Sequence, residues 1–172
     1  MNDFWRTLLW QQLGASIDML ENAMRACPDD LWSNTKEKPA WVEKSVVGFW
    51  YVVYHTLFWL DFYLSESERG FVPPAPFTLD EMDPSGLLPE RPYTKDELQR
   101  YLDYCREKCR AVIEAFTDEK ARAPRRISSG EVNGAELLLY NMRHVQHHVA
   151  QLNLLLRQTV DSAPAWVAKT QS

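Results

Sequence analysis

His144 and His148 stand four residues apart in the stretch RHVQHHVAQL, inside a segment whose other face is rich in leucine. On a helix that spacing stacks two imidazoles on one side, which is how a helix presents a pair of metal ligands. Outside this cluster the chain has one further histidine, His55, in the middle of a second apolar run. Three imidazole nitrogens from two helices suffice for a divalent metal with an open coordination position. A coordinated water or thiol would then be acidified by the ion itself.

The elements that must carry these residues read as helices. On a wheel of about 100° per residue, Leu138, Met142, Val145, Val149, Leu152 and Leu156 fall within roughly 40° of one direction, a core stripe. His144 and His148 lie about 80 to 120° to one side of it, in a row with Leu137 and Leu155 and flanked by Asn141 and Gln151. His147 points about 180° away and is expected at the solvated surface. The same construction embeds His55 among Gly48, Tyr51, Val52, Phe58, Trp59 and Phe62, where only the Tyr51 hydroxyl offers a hydrogen bond. An unpartnered buried polar group costs about 1–3 kcal/mol, so a group from another element should approach His55. A metal shared with His144 and His148 would meet that need. A backbone carbonyl beside a core histidine would meet it as well, and histidines at i and i+4 can also be coincidence.

Other constellations are weaker. Val145 occupies the position where zinc proteases of the HExxH type carry their general base, which argues against that mechanism. Asp61 lies about 120° from His55 around its helix and is expected to face solvent or a neighbouring helix. Cys105 and Cys109 share the four-residue spacing but occupy consecutive core positions, where free cysteine packs as a small hydrophobe. The nearly parallel Cβ vectors argue against a disulfide between them within one helix.

Length and composition fit one domain spanning residues 1–172, with 45% apolar residues and seven tryptophans to fill a core. A net charge of −5 with interleaved signs offers no basic stripe for phosphates, which excludes nucleic acid as a direct partner. Three cysteines and no recognisable leader point to a reducing compartment, the cytoplasm. Val46 to Leu64 contains no Lys or Arg and is long enough to span a bilayer. Its His55 and Asp61, and aromatics spread along its length, favour a buried core helix with no membrane contact.

Four long helices are expected. The first runs from Asp3 to Ala26 on Leu9, Leu13, Ile17, Leu20 and Met24 and ends at Cys27-Pro28. Trp32 to Trp41 reads as a connection, and the second helix runs from about Ser45 to Ser65. Thr94 with Glu97 forms a capping box for the third, which carries Leu98, Leu102, Cys105, Cys109, Val112 and Phe116. Pro124 and the Ser128-Ser129-Gly130 turn close it. Asn133 with Glu136 caps the fourth, which continues to about Thr159. Between helices two and three, six prolines and two glycines from Gly70 to Pro92 make a long proline-rich loop, either a pocket wall or a crossover along the bundle. A tail with Pro164 and Trp166 reads as irregular with an aromatic anchor. No run of alternating β-branched residues appears, so the chain is read as all-α, a four-helix bundle.

The histidine in YHTLFWLDFYL, the HxxxH followed by Gln in HVQHHVAQL and the Pro-Ala-Trp-Val tail together resemble the DinB/YfiT-like metalloproteins, over essentially the whole chain. The resemblance implies an up-down-down-up four-helix bundle, often a homodimer, binding a divalent metal (zinc or nickel, with manganese or iron also possible) through His55, His144 and His148. It also implies a thiol S-transferase or related hydrolase. Such an enzyme would act on small electrophilic molecules with a low-molecular-weight thiol, in detoxification or stress. Ala150 stands where many members have Gly, a departure of little consequence for metal binding. The competing reading is a non-catalytic helical interaction module whose histidines only pack.

Overall fold

The computed structural model describes residues 2–34, 48–66, 69–127 and 130–170. Four long helices form the body: α1 (Asp3–Ala26), α3 (Phe49–Leu64), α4 (Lys95–Glu114) and α6 (Gly134–Val160). Short helices α2 (Asp29–Trp32) and α5 (Asp118–Arg122) and a 3₁₀ turn (Asp80–Met82) lie in the connections. Local chemistry sets the ends. The Asn2 side chain caps α1, and Pro28 follows its last turn. Both expected capping boxes form, Thr94 with Glu97 on α4 and Asn133 with Glu136 on α6. Of the second helix as expected, Ser45 to Val47 lie outside the described residues, as does most of the Trp32 to Trp41 connection. The helix begins at Phe49 behind Gly48.

Helix directions follow from side-chain partners. Along α1 and α4, Cys27 meets Lys95, Glu21 meets Gln99, Asp18 meets Arg106 and Trp10 meets Arg110, so the two run antiparallel. Leu57 meets Cys105 and Ser65 meets Lys108, so α3 and α4 run parallel. His55 meets His148, Leu60 meets Asn141 and Tyr63 meets Tyr140, which sets α6 antiparallel to α3. The result is an up-down-down-up bundle in which α1 and α3 each pack on both α4 and α6.

Parallel neighbours cannot be joined by a tight turn. After α3 the chain must travel back some 24 Å, the length of a 16-residue helix, before α4 can start. The proline-rich segment makes that return along the bundle, held by aromatic contacts. Phe71 packs on Phe58 and Phe62 near the C-terminal end of α3. Phe77 stacks on Tyr101 at 4.3 Å and packs against Tyr54 and Tyr93 nearer its start. The segment is therefore both a crossover and a wall.

Three expectations need correction. Residues Pro124–Ile127 and Gly130–Asn133 form a small antiparallel hairpin, β1 and β2, which the sequence reading assigned to a turn. Four-residue strands are too short for alternation to register. Asp29–Trp32 forms one helical turn where only a helix end was read, with Trp32 buried and its indole N–H donating to the Tyr93 carbonyl at 2.9 Å. Trp166, expected to anchor the tail, is 69% exposed. The tail is pinned instead by Thr170, whose backbone N–H donates to the Gln11 carbonyl and whose side chain fills the notch above Gly14. A Cβ at Gly14 would lie 2.6 Å from Thr170 Cγ2, so any larger residue there would push the Thr170 side chain out of the notch.

No helix among the described residues is long and apolar enough to cross a membrane. Asp61, in the middle of the apolar run, is fully buried and accepts hydrogen bonds from Tyr101 and Lys108 of α4. Cys105 and Cys109 are buried free thiols, as their core positions imply, and burial pushes the Cys109 thiol up to about 12. Because Phe77 ties the crossover to three tyrosines, Phe77→Ala should destabilise the protein by about 3–5 kcal/mol in chemical denaturation.

Candidate metal centre

Antiparallel packing of α3 on α6 brings His55 to His144 and His148 from the opposite helix. Ring centroids lie 5.5 Å apart for His55 and His144, 4.8 Å for His55 and His148, and 4.6 Å for His144 and His148. One nitrogen from each ring lies within 4.8 Å of the others, the one such group among the described residues. The Nε2 atoms of His144 and His148 face each other at 3.1 Å. Two imidazole nitrogens bound to one tetrahedral zinc ion are separated by about 3.3 Å, given bonds of about 2.0–2.1 Å. The pair therefore already sits at nearly the spacing that a shared ion requires.

The proton positions are set by neighbours. His148 Nδ1 donates to the Gln151 side-chain oxygen at 2.8 Å, which leaves a lone pair on His148 Nε2. The Gln151 amide nitrogen donates onward to His147 Nε2 at 3.2 Å. His147 is exposed, as expected, and meets the site through this glutamine and edge-on against the His148 ring, 5.0 Å between centroids. Ala150 is exposed and takes no part. His144 Nδ1 is buried with no hydrogen-bond partner. Its Nε2, opposite a nitrogen that already holds a lone pair, can donate a proton or share a cation.

His55 lies at the margin of the aromatic face, its side chain 20% exposed, and is less enclosed than its wheel position implies. Its Nδ1 donates to Glu81 Oε2 at 2.7 Å. Glu81 belongs to the 3₁₀ turn of the crossover, and its side chain is only 5% exposed. The Trp59 indole N–H donates to the same oxygen at 3.1 Å. The Tyr51 hydroxyl approaches the carboxylate too, without satisfying Oε1, which is buried with no hydrogen-bond partner. The turn is held in place from its neighbour on α3, since the Tyr54 hydroxyl donates to the Thr78 carbonyl at 3.1 Å. Sequence reasoning asked for a group to approach His55 but did not find Glu81. The residue stands at no helical register, and the only signal was a long loop in need of a function.

Burial governs the charge of the site. It drives the His144 pKa from the ordinary 6.5 down to about 2, with His148, His55 and His147 adding to the effect. Burial first and His55 second bring His148 down to about 4, against the opposing bond from Gln151. Both rings are neutral at physiological pH and keep lone pairs for a metal. Burial also pushes the Glu81 carboxyl up, but its bonds from His55, Tyr51 and Trp59 together outweigh that and hold it below the ordinary carboxylate range. The donor set fits a divalent ion: three imidazoles, with a carboxylate and a carboxamide behind two of them. Beside His144 a cleft of about 390 Å³, lined also by Tyr140, Arg143, Gln146 and His147, leaves room for a small molecule.

This site within an up-down-down-up bundle defines a class of helical proteins with a histidine cluster between two antiparallel helices. The sequence profile of the DinB superfamily matches residues 12–152, and the chain belongs to that family. A crystal structure of a DinB-like protein from Bacillus subtilis is similar, with a TM-score of 0.56 at 18% identity. That similarity covers 92% of this chain and 94% of the other, and it concerns the fold. No curated protein matches the sequence.

The lowered pKa values fix the sign of a pH dependence. Between their folded and unfolded values, His144 and His148 bind fewer protons in the folded state than in the unfolded chain. Their contribution to stability is complete above about pH 6.5 and is lost as pH falls toward 4 and below. Thermal unfolding of metal-free protein should therefore show stability falling from pH 6.5 to 4, at up to about 1.4 kcal/mol per pH unit for each histidine. His148→Gln should remove one histidine's share of that slope; an unchanged slope would contradict the assignment.

Proposed function

We propose that His55, His144 and His148 hold one divalent metal ion and that the protein uses it as a metal-dependent thiol S-transferase or a related hydrolase. The observation that carries the reading is the convergence of three imidazole nitrogens within 4.8 Å, two of them 3.1 Å apart in rings that burial keeps neutral. Membership of the DinB superfamily supports it. With three imidazoles and no thiolate, zinc or nickel suits the donor set best, and manganese or iron is also accommodated.

A divalent ion there supplies Lewis acidity that makes a thiol or water a competent nucleophile at neutral pH. The chain's own residues hold the donors in place, Gln151 behind His148 and Glu81 behind His55. The cleft beside His144 is the natural approach for a small electrophile. In the transfer reaction the thiol would give up its proton to solvent, its sulfur would form the new S–C bond, and the electrophile's leaving group would depart with the displaced electron pair. In hydrolysis, water takes the place of the thiol.

Elemental analysis of protein purified without a metal-affinity tag tests the metal. About one equivalent of zinc, nickel, manganese or iron per chain is expected. His55→Ala and His148→Ala should each lose most of it while remaining folded by circular dichroism. Mass spectrometry of a small electrophile incubated with a thiol and the protein should reveal adduct formation that both variants abolish. Metal-free protein, or full metal retention in both variants, would overturn the reading and favour histidines that only pack.

A further inference from the structure

Glu81 is the most heavily committed side chain near the histidines that is not itself one of the three. It belongs to a segment with no helical periodicity, yet its carboxylate is buried against α3, with His55 Nδ1 at 2.7 Å and Trp59 Nε1 at 3.1 Å on one oxygen. A carboxylate accepts and does not donate, so its partner nitrogen on His55 must carry the proton. The other ring nitrogen, Nε2, then carries the lone pair. An imidazole free in water prefers the opposite arrangement, with the proton on Nε2, and an Nε2 so protonated offers no lone pair to a cation.

We propose that Glu81 is a positioning residue that sets the tautomer and ring orientation of His55, so that the crossover segment, which touches no metal itself, controls metal affinity. The inference rests on the metal reading given above. His148 has equivalent support from Gln151 on its own helix, and for His55 the carboxylate comes from the crossover. The residues one turn away from His55 on α3 are Tyr51 and Trp59, and both turn their polar atoms toward Glu81. Trp59 and Tyr51 have no acceptor capacity comparable to a carboxylate, so neither can replace it as the fixed acceptor for Nδ1–H. The crossover delivers that acceptor. Tyr54 fixes that delivery by donating to Thr78, three residues ahead of Glu81. Carboxylate support of this kind behind a metal-binding histidine orients the ring and raises its basicity.

A purely mechanical role is the competing account. Glu81 would then only pin the crossover to α3, and its loss would lower stability without altering metal affinity in the folded protein. Two variants separate the accounts. Glu81→Ala removes the acceptor; Glu81→Gln keeps an acceptor oxygen of nearly the same shape and removes the charge.

The first readout needs no metal: ¹⁵N chemical shifts of the His55 ring in metal-free protein. Wild type should carry the proton on Nδ1, Glu81→Gln should retain it there, and Glu81→Ala should shift it to Nε2. The second readout is zinc affinity by competition with a chromophoric chelator. Affinity should fall roughly 10- to 100-fold in Glu81→Ala and by less in Glu81→Gln. The d–d absorption of the cobalt-substituted protein should change in Glu81→Ala, reporting an altered ligand geometry that lowered stability alone does not produce.

If wild-type His55 carries its proton on Nε2, the inference is overturned whatever the metal does. It is also overturned if Glu81→Ala and Glu81→Gln both bind zinc within twofold of wild type. If the wild-type tautomer is as expected but no zinc binds, it is the metal reading that fails. Should Glu81→Ala not fold, Glu81→Gln decides: a proton moved to Nε2, or unchanged zinc affinity, counts against the inference.

Discussion

The parallel packing of α3 on α4 is the constraint on which the rest of the structure depends. Antiparallel helices that follow one another in the chain leave the end of one beside the start of the next. Parallel neighbours oblige the chain to return the whole length of the bundle. That return needs a long segment without regular structure, and such a segment is ordered only when side chains hold it down. Phe71, Phe77 and Tyr93 do so, each at least nine-tenths buried against α3 and α4. Once Phe77 and Thr78 are fixed against Tyr54, the 3₁₀ turn that follows has little freedom. Glu81 comes to rest over His55 because of where the return path is pinned.

The electrostatics of the site follow from the same geometry. His144 and His148 lie in apolar surroundings that favour the neutral ring, and neutral rings are what a divalent ion requires. Glu81, a nearly buried carboxylate, is in direct contact with the cluster. Its charge is held by hydrogen bonds from His55 and Trp59. The site thus presents three imidazole donors backed by one carboxylate, complementary to a dication. Isolated surface histidines have no such bias, since solvent screens their neighbours and lets them titrate near their ordinary value.

Much of this was legible in the sequence, for identifiable reasons. Capping boxes at Thr94 and Asn133 and the break at Pro28 are local signals, and the corresponding helices begin or end where those residues put them. The His144 and His148 pair was legible because helical periodicity fixes which side chains share a face, and His55 because so apolar a helix needs a partner for a polar ring. Glu81 was not, because its position is set by a path through space that no period in the sequence encodes. The hairpin at 124–133 was missed because two four-residue strands leave no alternating pattern. Trp166 misled because size suggests burial, whereas the tail is held by small Thr170 fitting above Gly14.

The apolar character of α3 invites a lipid-facing interpretation, and its packing supplies a different cause. A helix in the middle of a bundle is covered by neighbours on nearly every side and has no need of a polar stripe. Of the sixteen residues of α3, only Tyr51, His55 and Trp59 are not fully buried, and these three lie one turn apart along a single line. That line is the edge where the crossover lies, and its three polar atoms converge on Glu81. On the opposite side, Asp61 is buried but satisfied by Tyr101 and Lys108 of α4. The two polar interruptions in an otherwise apolar helix thus have separate physical reasons. One locks α3 to α4, and the other aligns the single edge of α3 left partly open with the histidines of α6.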